Sequence, residues 1–228
     1  MIKKTLISAT IASLILVGCG GTGTTTTTAT QALDVNTLPT SVLNDELAYT
    51  IEYMVNEEKL AYDVYTDLYN YHLSNSNIAL TQFQNVAQYS ETNHIRMVED
   101  LAIKYDLETA SHLENGVYNI PEVQAVYDAL YSNGLASPVD AYQSGCMVEV
   151  VDINDLNRDI SIAQASNAQD LVDVFTMLRN ASYNHYWAFD GGLKNMGVTD
   201  GCCSLGTVDG VNYCHPEYPQ NTQGGGRR

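Results

Sequence analysis

Apolar residues recur at intervals of three and four positions in four long stretches between about residue 43 and residue 197. This spacing puts the apolar side chains on one face of an α-helix, so it predicts four long amphipathic helices. Clusters of Asn, Ser, Gly and Pro separate the stretches and predict the turns between them. The predicted helices span about residues 43–73, 81–105, 137–163 and 167–197.

The connection between the second and third predicted helices, residues 106–137, is long. It contains Pro121, which can open a short extra helix that ends near Ser132. Helices of this length joined by short turns and one long crossover make an antiparallel bundle. The pattern therefore predicts an all-α fold, with a four-helix bundle over residues 41–198.

Two features mark the end of the predicted bundle. Ser166 or Asn167 is expected to cap the fourth long helix, because both side chains accept hydrogen bonds from free backbone N–H groups. Residues 199–228 are rich in Gly, Asn and Pro, so we expect an irregular tail there, with no strand and no second domain.

The N-terminus has the layout of an export signal. Two lysines precede an apolar run from Leu6 to Val17, which is too short to span a membrane, and Gly18 and Cys19 follow. This ending predicts a lipoprotein signal peptide over residues 1–18, with lipid on Cys19. The alternative is an ordinary secretory signal with a chance cysteine.

The next segment, residues 19–40, begins with a run of Gly and Thr that offers nothing to bury, so we expect a flexible tether. The sequence thus predicts an exported protein that is anchored to the cell envelope through its lipid. Gly20, rather than an aspartate, follows the cysteine. In a Gram-negative cell this favours the outer membrane, and the periplasmic face of the envelope is the other location.

The chain is strongly acidic, with 27 Asp and Glu against 10 Lys and Arg and a net charge of −17. Such a surface repels nucleic acid and anionic lipid headgroups, so we expect no nucleic-acid partner. The membrane contact is expected to go through the lipid anchor alone.

Four further cysteines are Cys146, Cys202, Cys203 and Cys214. An even number in an oxidising compartment predicts two disulfides. Adjacent cysteines are not expected to pair, so one of Cys202 and Cys203 bonds Cys146 and the other bonds Cys214. The alternative is a soft-metal site made by the three tail cysteines with His215, although a C-x-x-C pair is lacking.

Charged residues on the inner face of a predicted helix indicate chemistry, because burying one costs several kcal/mol unless it is paired or binds a metal. On the first helix Glu58 lies in line with the apolar face, whereas Glu57 should point about 100° away and be more exposed. On the second helix Glu91 and His94 are three positions apart, so both side chains lie on one face.

The third and fourth helices carry similar residues near their middles. Glu149 and Asp152 stand three positions apart in an apolar segment, and His185 lies among aromatic residues. Tyr65 and Ser182 are expected to hydrogen-bond these groups. Carboxylate oxygen and imidazole nitrogen suit iron and manganese, and they also accept zinc. The predicted metal ligands are Glu58, Glu91, His94, Glu149, Asp152 and His185.

The remaining histidines are read differently. His72, His112 and His215 fall at a helix end, in the crossover and in the tail. We expect them at the surface, because exposed histidines are common.

The ligand pattern resembles the di-iron carboxylate site of the ferritin and rubrerythrin superfamily. The segments at residues 57–65, 90–94 and 149–156 are more narrowly similar to the ferritin-like family called domain of unknown function 2202 (DUF2202), over about residues 43–197. The resemblance implies a ferritin-like bundle, two iron ions, and reaction with oxygen or peroxide. Whether the protein is an enzyme stays open, and so do its redox partner and a homodimeric state.

One position departs from the superfamily pattern. The fourth helix has Ser182-Tyr183-Asn184-His185 where the superfamily has Glu-x-x-His, so one bridging carboxylate is missing. Asp152 could supply it from the third helix. Two ions are expected, and a single ion stays open.

Other classes of function are weighed against this one. No phosphate-binding loop, nucleophile elbow, zinc protease helix or dinucleotide fingerprint is present in its required context, which excludes the usual hydrolases and nucleotide enzymes. A structural metal or a buried polar network without catalysis remains an alternative. A module that binds a partner through its tail is another.

Overall fold

The computed structural model describes residues 33–220. The predicted signal peptide, Cys19 and most of the tether lie outside the described residues, as do residues 221–228. The predicted all-α class is confirmed for the main body of the chain. Its helices are α1 (Asp45–Ser76), α2 (Thr81–Val86), a π-helical turn (Ala87–Glu91), α3 (Thr92–Lys104), α4 (Pro121–Gly134), α5 (Pro138–Ala165) and α6 (Gln169–Asn195).

Local sequence explains where α1 and α5 begin. The Asn44 side chain accepts a hydrogen bond from the backbone N–H of Leu47, and Asp45 and Glu46 place negative charge at the positive end of α1. Ser137 caps α5 in the same way, and Pro138 occupies its first position, where no backbone donor is needed.

The start of α6 differs from the expectation. Its N-cap residue is Ala168, which makes no side-chain capping bond, so the prediction that Ser166 or Asn167 caps this helix is wrong. Ser166 instead ends α5, and Asn167 adopts a left-handed backbone with φ of 57°. Neither residue therefore occupies the N-cap position of α6.

The helices pack mainly through α1 and α5. Helix α1 contacts α3, α4 and α5, while α5 also packs along α6 and α4. A Cβ atom at Gly145 would lie 2.8 Å from the ring of Phe189, and one at Gly192 would lie 2.2 Å from the ring of Tyr142. These glycines therefore allow α5 and α6 to approach closely.

The hydrophobic core has two parts with a polar layer between them. On α1 the first part ends at Val55 and the second begins at Leu60. On α6 the first part ends at Leu178 and the second begins at Tyr186. The buried polar residues nearest this boundary are Asn56, Glu57, Glu58, Lys59, Glu91, His94, Glu149, Asp152, Ser182 and His185.

The tail is more regular than expected. A 3-10 turn spans Gly201–Leu205, and two short strands, β1 (Thr207–Val208) and β2 (Val211–Asn212), pair in antiparallel fashion. The expectation that the tail contains no strand is therefore wrong. A backbone hydrogen bond from Tyr213 to Gly206 supports the hairpin.

Both expected disulfides are present. Cys146 on α5 is bonded to Cys202, and Cys203 is bonded to Cys214. The structure thus chooses between the two pairings that the sequence left open. It also contradicts the alternative soft-metal site, because no free thiol remains among these four cysteines.

Within residues 33–220, no helix combines the length and the apolar character that crossing a bilayer requires.

Candidate metal centre

Three side chains converge in the polar layer. One oxygen of Glu91 and one ring nitrogen each of His94 and His185 all lie within 4.8 Å of one another. His94 Nδ1 is 3.0 Å from Glu91 Oε2, and His185 Nδ1 is 3.0 Å from Glu91 Oε1. The two rings are stacked with their centroids 5.3 Å apart. Glu91 therefore lies between two imidazoles.

Each histidine also meets a second carboxylate. Glu58 Oε2 lies 3.2 Å from His94 Nδ1, and Glu149 Oε1 lies 3.5 Å from His185 Nδ1. All five side chains are buried. The cluster thus has two halves, each with its own histidine and glutamate, and the halves share Glu91.

The π-helical turn positions Glu91 and a residue that the sequence did not single out. Ser90 Oγ lies 2.7 Å from His185 Nε2 and 3.4 Å from His94 Nε2. Both rings therefore present Nε2 to the hydroxyl and Nδ1 to the carboxylates. Ser90 was missed because a serine on a predicted helix carries no metal signal. Its place four positions before His94 is the one hint that the sequence offers.

Two further hydrogen bonds hold the carboxylates. Tyr65 donates from its hydroxyl to Glu149 Oε1, and Ser182 donates to Asp152 Oδ2 over 2.6 Å. Asp152 is not part of the converging group that the described residues form, which contains Glu91, His94 and His185. The structure thus brings Glu58 and Glu149 against the histidines and leaves Asp152 beside them.

The charges of the cluster compensate one another. Burial acts to lower the pKa of His185, but Glu149 and Glu91 outweigh it and raise the pKa to about 10. Burial also acts to lower the pKa of His94, but the charges of Glu58 and Glu91 outweigh burial and raise this pKa well above its usual value. For Glu91 burial acts to raise the pKa, but the two histidines lower it overall.

The other acids hold their protons more tightly than usual. Burial raises the pKa of Glu58 to about 7, although His94 works in the opposite direction. Burial, followed by the charges of Glu58 and Glu149, raises the pKa of Asp152 well above its usual value. Binding of a metal ion to this layer would therefore release protons from the carboxyl groups and histidines.

Unpaired atoms test whether a metal fits. Among the described residues, Glu58 Oε1 is buried and has no hydrogen-bond partner. Glu91 Oε2 and His185 Nδ1 make no hydrogen bond either, but each belongs to an ion pair of 3.0 Å. Leaving an atom such as Glu58 Oε1 unpaired costs about 1–3 kcal/mol. Oxygen and imidazole nitrogen are donors to first-row transition metals. The residues present therefore fit a metal ion.

The structure also tests the expected exposure of Glu57 and of the three histidines outside the cluster, and only the expectation for His72 is wrong. Glu57 was expected to be more exposed than Glu58, and it is, at 8% against 2%, but both residues are buried, and Glu57 lies near Asp155 and Asp152 of α5. His72 was expected at the surface, but it is buried and bonds the backbone oxygen of Gly134 through Nε2. His112 is exposed, and His215 is partly exposed.

Fold and site together define a class: a mainly helical protein with a buried glutamate and histidine group that could hold a metal. The chain belongs to the family described as "Uncharacterized protein domain (DUF2202)", whose model matches residues 47–207. This match spans α1 to α6 and reaches the start of the tail hairpin.

A similar protein is found in Methanocaldococcus jannaschii. The chain is 33% identical over 164 residues to "Uncharacterized protein MJ0754" of Methanocaldococcus jannaschii, covering 72% of this chain and 83% of that protein. It also resembles the crystal structure of the hypothetical protein MJ0754 from Methanococcus jannaschii DSM 2661. That likeness has a TM-score of 0.63 and 34% identity, and it covers 70% of this chain and 86% of the other.

Proposed function

We propose that this protein is a metal-binding, ferritin-like lipoprotein of the cell envelope whose centre holds two iron ions and reacts with oxygen or peroxide. The observation that carries the proposal is the convergence of Glu91, His94 and His185 within 4.8 Å. The ligand set also includes Glu58 and Glu149, which contact the two histidines. Manganese and zinc are the alternative metals for these donors.

The division of the cluster into halves supports two ions. Each histidine has one glutamate of its own, and Glu91 is common to both. Asp152 was expected among the ligands. The proposed set does not include it, because its Oδ2 accepts a hydrogen bond from Ser182 and because it is outside the group that converges. The shared Glu91 replaces it as the bridging carboxylate.

The protein residues have defined tasks in this proposal. Ser90 orients both imidazoles through Nε2, and Tyr65 fixes Glu149 through its hydroxyl. Such contacts set ring orientation and ligand basicity. The two apolar cores on either side of the layer keep bulk water from it. Iron, when bound, would supply the electrons that reduce oxygen or peroxide.

The envelope location rests on two observations. The sequence from Lys3 to Cys19 has the order of a lipoprotein signal. The disulfides Cys146–Cys202 and Cys203–Cys214 persist in oxidising compartments outside the cytoplasm.

Metal analysis after anaerobic loading with Fe(II) tests the proposal. We expect about two iron ions per chain, a loss of iron in His94→Ala and His185→Ala, and no loss in the matched control His112→Ala, whose side chain is exposed. Addition of peroxide should change the spectrum of the loaded protein. A chain that binds no metal, or variants that load as the native chain does, would refute the metal site.

A second candidate is a buried polar network, or a structural metal, without catalysis. It is favoured by the charge compensation around Glu91, whose ion pairs with the two histidines are complete without a metal. If the spectrum and oxidation state of bound iron do not change when peroxide is added, the structural metal is supported. Absence of bound metal would support the network.

A further inference from the structure

A cavity of about 240 Å³ lies beside the candidate metal centre. Its walls come from α1, α4 and α5, and the tail hairpin closes one side with Val208 and Tyr213. Side chains such as Leu60, Leu130 and Val151 make most of the lining apolar. The volume is just below the range of ~300–1,000 Å³ that accommodates drug-sized ligands, so a smaller organic molecule fits.

Two carboxylates in this cavity have unsatisfied oxygens. Glu57 and Asp152 both line it and are 8% and 9% exposed. In the part of the chain that the structure describes, Glu57 Oε2 and Asp152 Oδ1 are buried and have no hydrogen-bond partner. The metal centre does not explain these atoms, because the group that converges there is Glu91, His94 and His185.

Within the described part of the chain, no basic side chain lines the cavity beside the two carboxyl groups. The described residues that line the cavity include no Lys, Arg or His. The guanidinium of Arg158 lies near this part of α1 and α5, but it is paired with Asp155 and Asp159. The cavity therefore combines apolar walls with buried carboxyl oxygens that have no hydrogen-bond donor, and such oxygens call for a ligand that carries N–H groups.

An inorganic cation fits this cavity poorly. Divalent ions take six or more oxygen ligands or a compact set of three or four protein ligands. Glu57 and Asp152 belong to no group of three acidic or histidine side chains that converges within residues 33–220. The apolar walls would also contribute no ligand to a metal.

We propose that the cavity binds a small organic amine, with its ammonium group between Glu57 and Asp152 and its apolar body against Leu60, Leu130 and Val151. The ammonium offers three donors to the unpaired oxygens, and the body removes apolar wall from water. This site is additional to the metal centre and does not depend on metal loading.

Calorimetric titration of the full-length chain tests the proposal with 2-phenylethylamine as the probe and 2-phenylethanol as its neutral counterpart. We expect one amine to bind per chain, about tenfold or more tightly than the alcohol, because hydrogen bonds to a charged group are stronger than neutral ones. Phenylacetate, an anion with the same ring, should not bind.

Matched variants locate the binding site. Glu57→Gln should weaken the amine about tenfold and leave the alcohol unchanged, while Glu52→Gln, on the same helix but outside the cavity, should alter neither. Ala129→Phe should block both probes, because Ala129 lines the cavity and is exposed at the surface of α4. Ala125→Phe, which is exposed on α4 outside the lining, should block neither.

Several outcomes would overturn the proposal. They are equal affinities for amine and alcohol, no saturable binding, an unchanged affinity in Glu57→Gln, or displacement of the amine by Ca²⁺. Circular dichroism checks that each variant is folded, and the two substitution sites on α4 offer a second route if Glu57→Gln does not fold. The iron content of the same samples distinguishes this site from the metal centre. A variant that loses amine binding but keeps its iron is affected in the cavity alone.

Discussion

Glu91 is the residue on which the site depends, since both histidines approach its two oxygens. Helical spacing predicted that Glu58, Glu91, His94, Glu149 and His185 point inward, and the structure buries all five. The same spacing did not predict that Glu57 is buried as well, and the place of His72 at the end of a predicted helix wrongly indicated the surface. Periodicity reports only the faces of one helix, whereas α5 covers Glu57 and the end of α4 covers His72.

The hydroxyl of Tyr65 leads to a prediction about stability. Tyr65→Phe removes the donor to the buried Glu149 and should lower the free energy of unfolding of the metal-free protein by about 1–3 kcal/mol. Tyr49→Phe is the matched control on α1, because 54% of Tyr49 is exposed. Urea denaturation measures both. Equal stability of the two variants would show that the hydroxyl contributes nothing to the fold.

The raised pKa values predict how stability changes with pH. The pKa of His185 is about 10 in the folded protein, where burial is outweighed by Glu149 and Glu91, and it is about 6.5 in an unfolded chain. The stabilisation is therefore complete below the unfolded pKa and is lost as pH rises through the folded one. Burial raises the pKa of Glu58 to about 7, which acts in the same direction.

We therefore expect the free energy of unfolding of the metal-free protein to fall as pH rises from about 6 to about 9. Urea denaturation at several pH values measures this slope. The slope should be shallower in His185→Ala and unchanged in His112→Ala. A metal-free protein that gains stability over this window would contradict the assigned charges.

At the scale of elements, the π-helical turn between α2 and α3 sets the direction of Glu91 and His94. Sequence pattern predicted one continuous helix over residues 81–105, and the helix does continue, but with a turn of i to i+5 bonding at Ala87–Glu91. Such turns are frequent at functional sites. The pattern could not reveal it, since Phe83, Ala87, Glu91 and His94 follow one another at intervals of four, four and three, as in an ordinary α-helix.

Deletion of Tyr89 tests the π-helical turn. Tyr89 is 74% exposed, so its side chain contributes little packing. Removing one residue should convert the wide turn into an ordinary α-helical turn, move Ser90 and Glu91 away from the two imidazoles and abolish iron loading. Tyr89→Ala, which keeps the residue count, should load normally. The measurements are iron content and circular dichroism, and a folded deletion variant with full loading would contradict this role.

At the scale of the whole molecule, the disulfides attach the tail hairpin to α5, and the hairpin then forms one wall of the cavity. The cysteine count predicted two bonds but not their partners. The choice between Cys202 and Cys203 depends on which sulfur faces Cys146 once the 3-10 turn at Gly201–Leu205 has formed.

Removal of the longer-range disulfide should have the larger effect on stability. Cys146→Ala with Cys202→Ala opens a bond across a sequence separation of 56, and should cost about 2–4 kcal/mol. Cys203→Ala with Cys214→Ala is the control, with a separation of 11 and a smaller expected loss. Guanidinium denaturation measures both, and a larger loss in the control would contradict the loop-length argument.

The sequence by itself determined the helices, the buried polar residues at their middles, the number of disulfides and the family to which the chain belongs. Each of these follows from spacing within a few residues, or from composition. Only the tertiary structure decided that Glu91 is shared, that Ser90 orients both rings, that Asp152 turns to Ser182, and that a cavity ends at Glu57. These features join atoms from helices that are far apart in the chain, and helical periodicity holds no information about such contacts.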